Sequence, residues 1–181
     1  MAHRKPRTED ELQDLQIEIL PLTEAFDLVT DHVVITDSEA NILYANKGVE
    51  ATTGFSHMEI IGKNPGDLWG GHMPKEFSED MWHTIKTLKR PFQGEVENHN
   101  KDGDSYWQEL RIFPILDHEG EVKFFIAIEP DITVRKVVEG HKQQYMEEMQ
   151  RLNTYLEERQ VKMSELTEEV AKLKAELEKK K

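Results

Sequence analysis

Hydrophobic positions along the chain change their period twice. In "EDELQDLQIEIL", residues 9–20, Leu12, Leu15 and Ile19 recur at helical spacing behind a Thr8/Glu11 capping pattern, and Pro21 is expected to stop the run. The pattern predicts a short amphipathic N-terminal helix within residues 1–21, followed by a second helical turn at Leu22–Val29. "HVVITD" and "NILYAN" are strand-like runs joined by "SEA", which reads as a hairpin. Short helices are expected around Val49, Ile60 and Leu68. A longer one is expected in "PKEFSEDMWHTIKTLKR", where Pro74 suits the first turn and Phe77, Met81, Ile85 and Leu88 repeat at three-to-four spacing. Period-two runs then predict strands over Phe92–Asn100, Ser105–Leu116 and Val122–Ile132, with "KDGD" and "DHEG" as turns. Residues 22–133 therefore read as one α+β domain of five antiparallel strands with helices on one face.

From Val134 the period becomes seven. Met149, Leu152, Leu156, Met163, Leu166, Val170, Leu173 and Leu177 occupy the alternating apolar positions, interrupted only by Arg159. Residues 134–181 are expected to form a parallel coiled coil that makes the protein a homodimer. With Met149 at position a, Glu169 of one chain faces Lys174 of the other, which favours the parallel arrangement.

Strand alternation sorts the late strands into faces. Phe92, Val96 and Asn98 share one side of the first, and Tyr106, Gln108, Leu110 and Ile112 form the inner side of the second. The third places Phe125 and Ala127 with Glu129, and Phe124, Ile126 and Ile128 on the opposite side. Gln108 thus becomes a polar group facing a core, and the apolar outer face needs a cover. Where Glu129 is buried too, a carboxylate without a partner is costly, so it is expected to bond Gln108, take up a proton or meet a ligand.

Charge narrows the function. Residues 1–133 carry 26 Asp/Glu against 12 Lys/Arg, a balance that repels phosphate backbones and argues against nucleic acid as a partner. Disulfides, thiolate metal sites and cysteine nucleophiles are ruled out by the absence of cysteine. No apolar run approaches the roughly 20 residues of a membrane helix, and "MAHRKPR" is unlike a signal peptide, so a cytoplasmic protein without a membrane partner is expected. No catalytic triad, phosphate loop or histidine-kinase phospho-acceptor motif is legible, which points away from an enzyme.

The order of elements, together with "NILYANKGVEATTGF", "KDGDSYW" and "EPDITVRK", resembles a PAS domain, the sensory module of bacterial signalling proteins, over about residues 22–135. The resemblance implies a five-stranded sheet with a ligand cavity between sheet and helices. It makes Asn98, Gln108 and Glu129 a polar row on the wall, and adds Asn64, Trp82 and Phe92 as candidate cofactor-binding residues. Asp131, Thr133 and Arg135 fall at the family's junction between last strand and signalling helix, where Asp131 is expected to pair with an arginine such as Arg135. The implied function is a dimeric sensor that passes the ligand or redox state of its cavity through the coil to a signalling partner or output domain. A flavin sensor and a ligand-free dimerisation scaffold are the alternatives.

The occupant is unknown from sequence. LOV photoreceptors, a branch of this family, need a cysteine where Pro65 stands, which removes adduct photochemistry. "MPKEFSEDMWHTIK" and the run from Pro91 to Trp107 are similar to the flavin-binding PAS domains of aerotaxis receptors and nitrogen-fixation regulators, so FAD or FMN is one candidate. Against it, Trp69–His72 replaces their polar phosphate-side residues. Haem, which some relatives hold through a histidine on the longer helix, is disfavoured although His83 lies there, and no metal-type histidine spacing occurs elsewhere.

Overall fold

The computed structural model describes residues 9–70 and 73–179, and divides the chain into one compact unit ending at Val134 and another beginning at Arg135. In the first unit the order is α1 (Glu9–Phe26), β1 (His32–Asp37), β2 (Ile42–Ala45), α2 (Lys47–Thr53), α3 (His57–Ile60), α4 (Pro65–Leu68), α5 (Lys75–Trp82), β3 (Phe92–His99), β4 (Ser105–Leu116) and β5 (Val122–Glu129). One sheet takes all five strands in the order β2-β1-β5-β4-β3, and every pairing is antiparallel. The central pair joins the first strand to the last, so the sheet closes only when both ends of the domain have been made.

Each sheet face has its own core. On the outer face Val33, Ile35, Leu43, Tyr44 and Phe124 pack against Ile19 of α1, with Leu15 and Phe26 alongside. This helix is the cover that the apolar outer face requires. On the inner face Val34, Ile42, Ile85, Ile112, Phe125 and Ala127 pack with Trp69 under the short helices. Burying one such aliphatic side chain contributes about 1.5–3 kcal/mol, so either face has enough apolar surface to hold its layer.

Two expectations need correction. The first concerns Pro21, which does not end the N-terminal helix: α1 runs through it to Phe26 and absorbs the turn expected at Leu22. A proline removes a backbone donor from the helix interior, but α1 is tied to β2 on either side of it. Gln16 Nε2 donates to the Leu43 carbonyl at 2.9 Å, and the Tyr44 hydroxyl donates to Thr23 O at 3.0 Å and Asp27 Oδ1 at 2.8 Å. Burial first, then the Asp27 carboxylate, pushes the Tyr44 phenol well above its ordinary range and keeps it a donor. Thr8, half of the expected capping pattern, lies outside the described residues.

The second correction concerns the longer inner helix, which is α-helical only to Trp82. His83–Thr87 form a π-turn, closed by the Leu88 N–H on the His83 carbonyl at 3.0 Å. The wider turn rotates the side chains after Trp82, placing Ile85 in the core and leaving Leu88 half exposed.

Helix α6 (Thr133–Lys179) begins at the end of the first unit and makes up the second. Met149, Leu152, Leu156, Met163, Leu166, Val170 and Leu173 are all exposed along it and form an apolar stripe.

Candidate functional site

A cavity of about 340 Å³ lies between the inner sheet face and the helices. Val34, Thr36, Val96, Asn98, Ile112, Phe125 and Glu129 form its floor, and Asn64, Trp69, Phe77, Met81, Trp82 and Ile85 its opposite wall. One ring of that wall depends on a glycine. The Phe77 ring lies where a Cβ on Gly94 would meet it at 2.7 Å, so only glycine lets that ring rest on β3, where it meets Phe92 edge-on at 5.3 Å. Trp82 meets Phe125 at 6.1 Å in a similar edge contact. Glu129 and Asp67 are the acidic residues of the lining, and no lysine, arginine or histidine lines it among the described residues.

The candidate residues from sequence occupy two layers. Asn64, Trp82, Asn98 and Glu129 reach the cavity, while Phe92 and Gln108 stand buried just behind it. Asn64 has a structural task as well, since its Oδ1 accepts from the Gly66 N–H at 2.8 Å and caps α4. Asn98 and Gln108 are joined: Asn98 Nδ2 donates to Gln108 Oε1 at 2.9 Å, and Gln108 Nε2 donates to the Glu129 backbone carbonyl at 3.0 Å. Gln108 therefore engages the main chain of Glu129 and leaves its carboxylate to others.

That carboxylate meets a residue the sequence reading missed. His32, the first residue of β1, lies in register with Glu129 and places Nδ1 3.6 Å from Oε2. Both residues are buried, at 2% and 4% exposure, yet neither ring nitrogen of His32 nor Oε2 of Glu129 makes a hydrogen bond. The Tyr106 hydroxyl is a third buried polar atom with no bond, and its ring meets the His32 ring at 6.0 Å. Burial, then Glu129 and Asp131, push the Tyr106 phenol far above its ordinary range, so it stays protonated. Alternation within "HVVITD" could have put His32 on the inner face beside Val34 and Thr36. Its pairing with β5 could not be read, because that pairing spans the whole domain.

The polar row continues into the start of α6. Asp131 forms an isolated bridge with Gln108, and its Oδ1 accepts the Thr133 N–H at 2.7 Å. Thr133 Oγ1 accepts the Trp107 N–H at 2.9 Å, while the Ile132 N–H donates to the Trp107 carbonyl at 2.8 Å. The junction is thus clipped to β4 beside the residue that holds Asn98 and Glu129. Arg135 lies 3.7 Å from Glu139, one turn along its own helix.

Other candidates fall elsewhere. His83 is exposed and does not line the cavity, so it is not placed to ligate a haem there. Pro65 does line it. Of the Trp69–His72 stretch, Trp69 is buried in the wall, and Gly71 and His72 lie outside the described residues. No described helix is long and apolar enough to cross a membrane.

Comparison with known proteins agrees with this architecture. The chain is 32% identical over 114 residues to a nitrogen fixation regulatory protein of Klebsiella oxytoca, covering 63% of this chain and 23% of that protein. It is 31% identical over 136 residues to a blue-light photoreceptor of Listeria monocytogenes, covering 74% of this chain and 53% of the relative. The chain thus spans about a quarter of the length of the first relative and about half that of the second. The crystal structure of a PAS domain from Colwellia psychrerythraea superposes with a TM-score of 0.57 at 27% identity, covering 64% of this chain and 98% of that one. Residues 30–134 match the PAS domain family model, and with the sheet order, inner cavity and strand-to-helix junction in place, the chain belongs to the PAS domain family.

Proposed function

We propose that this chain is a cytoplasmic, non-enzymatic sensor module that reports the state of its cavity to a signalling partner or output domain through a parallel dimeric coiled coil. The observation that carries this reading is the bonded route from the cavity wall to the head of α6: Asn98 to Gln108, Gln108 to the Glu129 main chain, and the Asp131–Thr133 clip on β4. An occupant that pulls on Asn98 or Glu129 changes the strain on that route, and the route ends at the first turn of the helix. The exposed heptad stripe from Met149 to Leu173 supports a second copy of the chain as the helix's partner.

Two measurements on the full chain test this. Sedimentation should give a dimer that becomes a monomer when Leu166 and Leu173 are replaced by lysine; a dimer that survives refutes the coil as the main interface. Mass spectrometry of protein released from the native state should show a retained small molecule, or its cavity should bind one on screening. A cavity that binds nothing leaves the ligand-free scaffold as the function.

A flavin sensor is the second reading, favoured by the Asn98 amide among aromatic and aliphatic walls. Such a group would supply redox or light-driven electron chemistry, with Asn98 and Trp82 holding its ring. The fit extends to a neutral ring and not to an anionic tail, since the described lining offers carboxylates and no basic side chain. Flavin absorption bands in protein expressed with flavin supplementation would establish this reading, and their absence would remove it.

A further inference from the structure

We propose that His32, Glu129 and Tyr106 form a proton-binding site in the inner wall of the domain, and that gain or loss of a proton on His32 changes the hold of β4 and β5 on the head of α6. Such a site deepens the sensor reading, on which its link to α6 rests, and makes the proton one of the signals the wall registers.

The three side chains come from three strands and meet away from water. His32 opens β1, Glu129 closes β5 and Tyr106 lies at the start of β4, and all three are buried. His32 Nδ1 stands 3.6 Å from Glu129 Oε2, an ion-pair distance, and the His32 and Tyr106 rings lie 6.0 Å apart. Both ring nitrogens of His32, the Tyr106 hydroxyl and Glu129 Oε2 make no hydrogen bond within the protein. They are complementary in kind: a hydroxyl that donates, a carboxylate oxygen that accepts and an imidazole that does either. A proton added to the imidazole makes the closest approach a buried ion pair, and its loss leaves the carboxylate beside a neutral ring. Imidazole is the side chain that ordinarily makes this change between about pH 5 and 8.

The surroundings leave that role to His32. Among the described residues no lysine or arginine is buried, so His32 is the buried side chain able to set a positive charge against Glu129. The other charged groups on neighbouring elements are acidic or exposed. Asp31 precedes β1, Asp131 follows β5 and bonds Thr133, Asp67 lines the cavity, and α2 carries half-buried Glu50 and exposed Lys47. Burial, then Glu129 and Asp131, keep the Tyr106 phenol protonated, so it remains the donor of the three.

Two members of the site belong to the supports of the junction. Tyr106 is next to Trp107, which holds Thr133 Oγ1 by its N–H and the Ile132 N–H by its carbonyl, and Glu129 lies four residues before Thr133. The backbone beside His32 is pinned instead: Asn46 Oδ1 accepts the Val33 N–H at 3.0 Å, and Asn46 Nδ2 donates to the carbonyls of Phe26, Val29 and Asp31. A change of charge on the ring is therefore taken up by Glu129 and Tyr106, on the strands that carry α6.

Nuclear magnetic resonance on the full chain follows the His32 ring nitrogens and the Thr133 and Trp107 amides between about pH 5 and 8. The expected result is a Thr133 amide that moves along the same transition as the His32 ring. His32→Gln should abolish that transition at Thr133. Glu129→Gln, which keeps the shape and removes the charge the imidazolium acts on, should shrink it about threefold or more. His141→Gln, on α6 itself, should leave it in place. The coincidence of ring and amide is read in the wild-type chain, so the test stands even where His32→Gln fails to fold. A His32 ring that does not titrate in this range, a Thr133 transition that survives His32→Gln or vanishes in His141→Gln, or a Thr133 amide that stays still while the ring titrates overturns the proposal. Failure here is separable from failure of the sensor reading: a small molecule that binds the cavity and shifts Thr133, where pH does not, leaves the sensor without a proton site, whereas a Thr133 amide that neither one moves removes both.

Discussion

The two faces of the sheet use the same five strands for different ends. On the outer face, α1 seals Val33, Ile35, Leu43 and Phe124 into an apolar layer. On the inner face, apolar residues alternate with His32, Thr36, Asn98, Gln108 and Glu129, all buried, around a space the side chains leave unfilled. Polar groups in such positions cost stability unless each finds a partner. Asn98 and Gln108 find each other, while His32, Tyr106 and Glu129 keep atoms unbonded. The outer face is a sealed apolar layer, and the inner face keeps buried polar atoms around a cavity.

Matched substitutions should make this contrast measurable. Ile35→Ala, in the sealed layer at 1% exposure, should cost about 3–5 kcal/mol in denaturant unfolding. Ile112→Ala borders open space, has fewer contacts to lose, and should cost about 2 kcal/mol. Equal losses would show that the inner face is packed as tightly as the outer. Gln108→Leu should come next, because it strands the Asn98 amide and the Glu129 carbonyl at about 1 kcal/mol or more each while adding apolar burial that offsets part of the loss. Its thermal midpoint should fall by less than that of Ile35→Ala, and an unchanged midpoint would mean that the row is structurally idle.

The smallest effect lies outside both faces. The hydrogen bond from Lys101, and then those from Ser56, hold the Glu59 carboxyl down at about 2. A carboxyl held low in the folded chain contributes stability that is present above its ordinary value of 4.5 and lost as pH falls toward about 2. Glu59→Gln should therefore lose that small contribution at neutral pH, match wild type once pH falls to about 2, and flatten the acid limb of the curve between those values. A pair this exposed is screened by water, so acid titrations of wild type and variant should differ only slightly.

Much of the architecture was legible because it arises from local periods. Alternation located the three late strands and put Gln108 on an inner face, the family resemblance added Asn98 and Glu129 to its row, and the heptads set out the stripe on α6. What escaped were features decided by distant partners. Pro21 stays helical because Tyr44 and Leu43 hold α1 on either side of it. His32 becomes part of the site because β1 pairs with β5, and Gln108 bonds the main chain of Glu129 because the strand register presents the carbonyl and not the carboxylate. The π-turn after Trp82 gave no signal in a pattern that fits an ordinary helix equally well.

A sensor of this kind stands or falls on whether the inner polar row is coupled to the start of α6. Native-state amide hydrogen exchange at Thr133 reads that coupling, in the full chain carrying either Asn98→Leu, at the far end of the row, or Ile35→Val, on the outer face. With coupling, Asn98→Leu accelerates exchange at Thr133 beyond what its loss of global stability explains, while Ile35→Val changes it only by that loss. Thr133 protection that tracks global stability in both variants would contradict the coupling.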